Sequence, residues 1–113
     1  MKVQHYTQTP LEPAEGVEGV SVRWVISKED GAPTFAMRIF DVAPGATTPF
    51  HQHPWEHEVF ILQGEGAVKN AIGEEVPFQR EYVIYVAPNE KHQFINKGDG
   101  VLRFICLIPH VEP

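Results

Sequence analysis

Proline and glycine recur so densely along this chain that long helices are excluded over most of its length. Ten prolines and nine glycines occur in 113 residues, and they interrupt the sequence repeatedly from Pro10 to Pro109. Proline lacks a backbone N–H and glycine weakens helices, so few segments between the breaks could carry a helical hydrophobic period over three turns. The chain must therefore fold chiefly from short extended segments.

The segments between the breaks are rich in β-branched and aromatic residues, and several alternate apolar with polar side chains, as strands do. Gly64-Glu65-Gly66, Pro88-Asn89 and Asn96-Lys97-Gly98-Asp99-Gly100 are turn signals between them. Short strands that recur at roughly 8–12-residue spacing, with no helix between them, predict an antiparallel sandwich or barrel. The predicted strands cover residues 20–26, 35–42, 59–62, 82–86, 92–95 and 101–108.

The length allows one compact domain, and 42% hydrophobic residues are enough to fold it. Residues 1–16 contain few periodic apolar positions, so we expect an N-terminal arm that lies over the domain or over a dimer partner. Residues 17–113 are expected to form the β-barrel domain.

Charge and cysteine content exclude several classes of function. The net charge is −6 and the nine Lys and Arg residues are scattered, which argues against nucleic acid and anionic membranes as partners. No apolar run approaches the 18 or so residues of a membrane-spanning helix. A single cysteine, Cys106, excludes an intramolecular disulfide, and the first residues lack the layout of a signal peptide. We therefore expect a cytoplasmic protein.

Four of the six histidines are grouped in a way that favours a metal site. His51 and His53 are two positions apart, so in a strand their side chains point to the same face, about 7 Å apart along the chain. His57 opens the next predicted strand, and His92 comes from a distant one. A small barrel would curl these segments towards one centre. Four neutral imidazoles bind Mn, Fe, Co, Ni, Cu or Zn and add no negative charge to the ion.

The same residues resemble the two motifs of the cupin superfamily. Gly45-x5-His51-x-His53-x3-His57-x6-Gly64 is similar to the first motif, and Pro88 with His92-x3-Asn96 resembles the second. The first motif usually carries a glutamate where His57 stands; Glu58 is the other candidate, but it falls on the opposite strand face. The second motif is one residue short, with Glu81-Tyr82 and Glu90 where glycines are usual.

The resemblance to small four-histidine cupins implies a double-stranded β-helix, or jelly-roll barrel, that forms a homodimer. It also implies one divalent metal per chain, with manganese first and Fe, Ni, Cu or Zn as alternatives, held by His51, His53, His57 and His92.

Further residues are candidates for the wall of the pocket. Phe104 and Cys106 share one face of the last strand, and Phe94 shares parity with His92; each could instead be ordinary core. Arg38 interrupts an apolar strand, where it is either an outward charge, a partner of an acid such as Glu58, or a partner for an anionic substrate.

Three functions follow from a metal in an apolar barrel. The first is an oxidoreductase of dioxygenase type that acts on a small organic substrate such as an enolate or catecholate. The second is a non-catalytic small-molecule binder or sensor, because the fold does not fix function. The third is a metal-dependent isomerase or lyase. The chain lacks the motifs of serine hydrolases and of phosphate-binding loops.

Overall fold

A computed structural model describes residues 1–110. In this part of the chain the only helical elements are two 3-10 turns, Tyr6–Gln8 and Lys28–Asp30. The remaining regular structure consists of nine strands: β1 Glu12–Pro13, β2 Val20–Ile26, β3 Phe35–Val42, β4 His57–Gln63, β5 Glu65–Lys69, β6 Glu75–Gln79, β7 Val83–Val86, β8 Gln93–Asn96 and β9 Leu102–Pro109.

The strands form two antiparallel sheets. Six strands pair in the order β1-β2-β3-β9-β4-β7, and three pair in the order β6-β5-β8. β9 lies between β3 and β4, with Arg38 opposite Cys106 on one side and Val59 opposite Cys106 on the other. The predicted all-β, jelly-roll architecture is confirmed.

The core fills the space between the two sheets. β9 alternates strictly, with Leu102, Phe104, Cys106 and Ile108 buried and the residues between them partly exposed. Phe94 of β8 crosses from the smaller sheet and places its ring 5.0 Å from that of Phe104. Burial of such aromatic and branched side chains is the main driving force for folding. The core therefore holds both sheets together.

Three strands depart from the sequence-based prediction. β1, β5 and β6 were not predicted, and Gly64-Glu65-Gly66 is a turn only at Gly64, whose φ is 89°. Gly66 lies inside β5, where a Cβ would collide with the carbonyl oxygen of Ile95 on β8. The glycine there permits close strand contact instead of a turn.

The segment that carries His51 and His53 is also different from the prediction. It is not a regular strand: His51 forms an isolated bridge with His92, and His53 lies in irregular backbone. Pro49 and Pro54 flank the pair, and proline cannot donate to a strand ladder, so regular pairing stops here.

The N-terminal arm lies along its own domain. β1 pairs with β2, and Lys2 Nζ donates to the Val25 carbonyl oxygen at 2.9 Å and to Asp30 at 2.7 Å. Contact of the arm with a dimer partner stays a prediction, and residues 111–113 of the predicted 17–113 domain lie outside the described residues. Within residues 1–110 no helix is long and apolar enough to span a membrane.

Candidate functional site

Four histidine rings meet inside one end of the barrel. His57 is the first residue of β4, His92 immediately precedes β8, and both are almost fully buried, at 5% and 3% exposure. His51 and His53 reach the same place from the segment between β3 and β4. Ring centroids are 4.3 Å apart for His51 and His53, 4.9 Å for His57 and His92, and 6.2 Å for the widest measured pair, His53 and His92.

Backbone hydrogen bonds fix two of these residues to each other. The His51 N–H donates to the His92 carbonyl oxygen at 3.0 Å, and the His92 N–H donates back to His51 at 2.9 Å. The His92 ring is oriented as well, because its Nδ1 lies 2.8 Å from the Glu90 carbonyl oxygen, which can only accept. Nδ1 therefore carries a proton, and Nε2 is the ring nitrogen left for other contacts.

Burial keeps three of the four rings neutral. Loss of solvent, together with the positive charges that His92 and Arg38 would place nearby, lowers the pKa of His57 to about 3. Burial and the neighbouring His53, His92 and Arg38 lower the pKa of His51 to about 4, and the pKa of His53 also falls, chiefly through burial. At neutral pH these three imidazoles offer lone pairs instead of positive charge.

The rings border a cavity of about 340 Å³ that has mostly apolar walls. The predicted wall residues Arg38, Phe94, Phe104 and Cys106 all line it. Sequence reasoning missed further lining residues for two reasons. Strand parity alone did not show which face of β2 and β3 turns inward, and the residues outside these strands have no periodic pattern that places them. The missed residues are Ala14, Glu15, Val17, Val20, Phe40, Thr48 and Pro49.

Arg38 and Cys106 form part of the cavity wall on the neighbouring strands β3 and β9. Arg38 Nη2 lies 3.2 Å from Cys106 Sγ, and burial raises the pKa of this thiol although Arg38 opposes the shift. The thiol is therefore protonated at neutral pH. The prediction of an outward Arg38, or of a pair between Arg38 and Glu58, is wrong: Arg38 lines the cavity, whereas Glu58 lines grooves outside the barrel.

His57 and Glu58 lie on opposite faces of β4. His57 is buried beside the other rings, and Glu58 is exposed. His53 stacks on Trp55 with ring centroids 4.5 Å apart and an angle of 6° between the planes. Trp55 thus packs against one of the four rings.

The cluster fits a metal ion in chemistry and spacing but not yet in orientation. Rings that share one ion through nitrogens about 2.1 Å away have centroids roughly 4.5–6.5 Å apart, close to the values observed. Buried His57 Nδ1 has no hydrogen-bond partner in the described part of the chain, and a coordinating nitrogen would need none. However, no three His, Cys, Asp or Glu side chains of residues 1–110 are already arranged to hold a metal ion.

A family model described as a cupin domain matches residues 38–108, the segment that contains all four histidines. The chain belongs to the cupin domain family. Membership of this cupin in the four-histidine, manganese-type subgroup stays a prediction.

Known proteins similar to this cupin differ in their described roles. The structure of the polyketide cyclase RemF from Streptomyces resistomycificus superposes with a TM-score of 0.93 at 29% identity, over 100% of this chain and 82% of that one. The tetracenomycin polyketide synthase protein TcmJ of Streptomyces glaucescens is 26% identical over 97 residues, 85% of this chain. An oxalate-binding protein of Thermotoga maritima is 33% identical over 66 residues, 58% of this chain. The cupin spans only 65% of TcmJ and 54% of the oxalate-binding protein.

Proposed function

We propose that this cupin is a metal-dependent enzyme that closes a ring in a small polycarbonyl substrate of the polyketide type. The observation that carries the proposal is the histidine cavity, in which neutral imidazoles face the aromatic side chains of Phe40, Phe94 and Phe104. The similarity to a polyketide cyclase over the whole chain supports this substrate class. A volume of about 340 Å³ suits one or two rings of such a molecule.

The four rings of His51, His53, His57 and His92 would hold the ion, with manganese expected first and iron, nickel, copper or zinc as alternatives. The ion would supply Lewis acidity that stabilises negative charge on a substrate oxygen. The protein contributes neutral nitrogen donors, so the proposed ligands themselves would cancel none of the positive charge of the ion.

The cavity walls would fold the substrate and exclude water. Packing against Phe40 and Phe104, whose rings stack 5.3 Å apart, favours a curled chain in which an enol carbon approaches a distant ketone. Ring closure forms one C–C bond as the π bond of the ketone breaks. Loss of water then removes the ketone oxygen together with the two hydrogens that the attacking carbon carried in its keto form, and a C=C bond remains. The reaction therefore needs neither dioxygen nor a reductant.

The test is turnover of synthetic tri- and tetra-β-ketones by protein reconstituted with a single metal. We expect an aromatic product, detected by absorbance and mass, at equal rates with and without oxygen. His51→Ala should abolish the reaction, and Glu58→Ala, on the outer face of β4, should retain it. Product formation by metal-free protein at the same rate would contradict the proposal.

A dioxygenase-type oxidoreductase is the second candidate, because apolar walls and a neutral ligand set also suit dioxygen chemistry on an enolate or catecholate. Oxygen uptake with enols or phenols, together with no product formation under anaerobic conditions, would favour this function over ring closure. The third candidate, a non-catalytic binder of a small organic anion, draws on the oxalate-binding relative. Saturable ligand binding without turnover under either atmosphere would favour that function.

The homodimer also stays a proposal, and the outer face of the larger sheet supports it. Phe60, Val83 and Tyr85 line one apolar groove there, and Val83 is 75% exposed. A second copy of the chain would remove this surface from water. Light scattering coupled to size-exclusion chromatography measures the mass and decides between monomer and dimer.

A further inference from the structure

Arg38 places a positive charge inside the histidine cavity without an acidic partner. It lies on the inward face of β3, between buried Ala36 and the cavity-lining Phe40. None of the ion pairs found within residues 1–110 includes it. A cation in an apolar wall is costly unless a partner compensates its charge.

The hydrogen-bonding capacity of Arg38 is largely unused. A guanidinium has five N–H donors, and the one acceptor that it meets in the described residues is the Cys106 sulfur, at 3.2 Å. A thiol sulfur is a weak acceptor. Arg38 Nε is buried and has no hydrogen-bond partner in the same part of the chain. The group is therefore ready to donate to a stronger acceptor.

Two aromatic rings hold the guanidinium in place. Its Cζ lies 4.8 Å from the Phe40 ring centroid and 5.3 Å from that of Trp24. Stacking restrains a planar cation and reduces the entropy lost when it binds a planar anion in a two-point contact. Such restraint is typical of a recognition site for a carboxylate.

The charge of the cavity also favours an anion. Glu15 is the one acidic residue among those that line it, and Glu15 is exposed. The formal charges of Arg38 and Glu15 balance, but Glu15 lies in solvent whereas Arg38 is half-buried, so the charge within the walls of the cavity is positive. The neighbouring walls of Phe94 and Phe104 suit an apolar ring attached to the anionic group.

We propose that Arg38 is an anion subsite that binds the carboxylate of a ring-containing organic acid, whose other end points to the histidine cluster. This inference rests on the cavity of the proposed function and narrows its substrate class to acids. Arg38 is a specificity residue in this proposal. In the opposing explanation Arg38 only braces the wall by stacking, and ligand charge then has no influence.

The experiment measures binding of 2-naphthoate and of its neutral analogue 2-naphthamide to the full chain by fluorescence titration. The protein is first treated with chelator and dialysed, so that no metal contributes. Arg38→Met removes the charge and keeps an apolar side chain, and Arg38→Lys keeps the charge without the planar fork. Arg80→Met is the matched control, because Arg80 is exposed and lies far along the chain in the turn before β7.

We expect Arg38→Met to weaken 2-naphthoate binding about 10- to 100-fold and 2-naphthamide binding less than threefold. Arg38→Lys should give an intermediate loss, and Arg80→Met none. Circular dichroism checks folding, and Arg38→Lys carries the test if Arg38→Met does not fold.

Equal losses for both ligands, unchanged 2-naphthoate binding in the folded Arg38 variants, or no binding by the wild-type chain would each overturn the proposal. The binding measurement uses no metal and requires no turnover, so its outcome does not depend on whether the protein catalyses ring closure. Failure of the cyclisation assay with retained, Arg38-dependent binding would therefore reject the proposed function alone.

Discussion

The two ends of the barrel are built from the same three strands but have opposite properties. At the packed end, Val42, Ile61 and Leu102 are completely buried. Four residues along each strand, on the same face, the cavity end presents Arg38, His57 and Cys106 instead. The side-chain period of a strand is two, so each pair shares a face of the sheet. The side chains therefore change from apolar at one end to charged or titratable at the other without any change in the geometry of the strands.

This contrast shows how a chain of 113 residues can hold a cavity that contains an arginine and four histidines and remain folded. Side chains at the packed end contribute stability by complete burial. Hydrogen bonds also support that end: the Asn96 side chain donates to the carbonyl oxygens of Val42 and Gly100 and accepts from the Gly98 N–H. The cavity end is then free to carry groups that contribute little to folding.

The strongest test of the contrast compares the two ends by large-to-small substitution. Leu102→Ala at the packed end should lower the free energy of unfolding by about 3 kcal/mol, because it leaves a sealed void. Cys106→Ala at the cavity end should cost about 1 kcal/mol, because its sulfur already borders open space. Urea denaturation measures both values. Equal losses would show that the two ends contribute alike to stability.

The second test addresses metal affinity on the two faces of β4. His57→Ala should weaken Mn²⁺ binding about 100-fold or more, because it removes a proposed ligand. Glu58→Ala, the adjacent residue on the outer face, should change affinity by no more than about threefold. Competition with a chelator gives both constants. Equal losses, or a larger loss for Glu58→Ala, would place the fourth ligand elsewhere.

The smallest expected effect is the pH dependence of stability in metal-free protein. The pKa of His57 is about 3 in the folded chain and 6.5 when unfolded, so the unfolded chain takes up the proton first. The stability due to neutral His57 is complete above pH 6.5 and is lost as the pH falls towards 3. Between pH 7 and pH 5 we expect a loss of about 1–2 kcal/mol.

His57→Gln provides the control for this pH dependence, since glutamine does not titrate. The free energy of unfolding of this variant, measured by urea titration at each pH, should fall less steeply than that of the wild type. Parallel curves would show that burial of His57 is not the cause.

Much of the fold was predictable because proline, glycine and strand alternation are local signals. β2 and β3 agree with the predicted bounds, and β4, β7, β8 and β9 agree within about two residues. β6 was missed because Pro77 lies in its middle, and proline is tolerated there only because β6 is a sheet edge. Edge position is a property of the whole sheet, which no local pattern contains.

The histidine cluster was predictable from spacing, but the direction of Arg38 was not. β3 is apolar on both faces, so its alternation does not show which residues point inward. Pairing with β9 decides this, because Arg38 lies opposite Cys106. Whether the four rings bind a metal stays a prediction.

Glu81 is another departure from local rules, since it adopts a φ of 72° in the turn before β7, a conformation that favours glycine.

The reciprocal backbone bonds between His51 and His92 have a consequence for release of anything held by their rings. The two bonds join the same pair of residues, so they fix the positions of the two ring-bearing Cα atoms relative to each other. A ligand bound by both rings would be held at two points whose spacing the backbone fixes. After one contact is lost, the second ring would keep the ligand close enough to bind again.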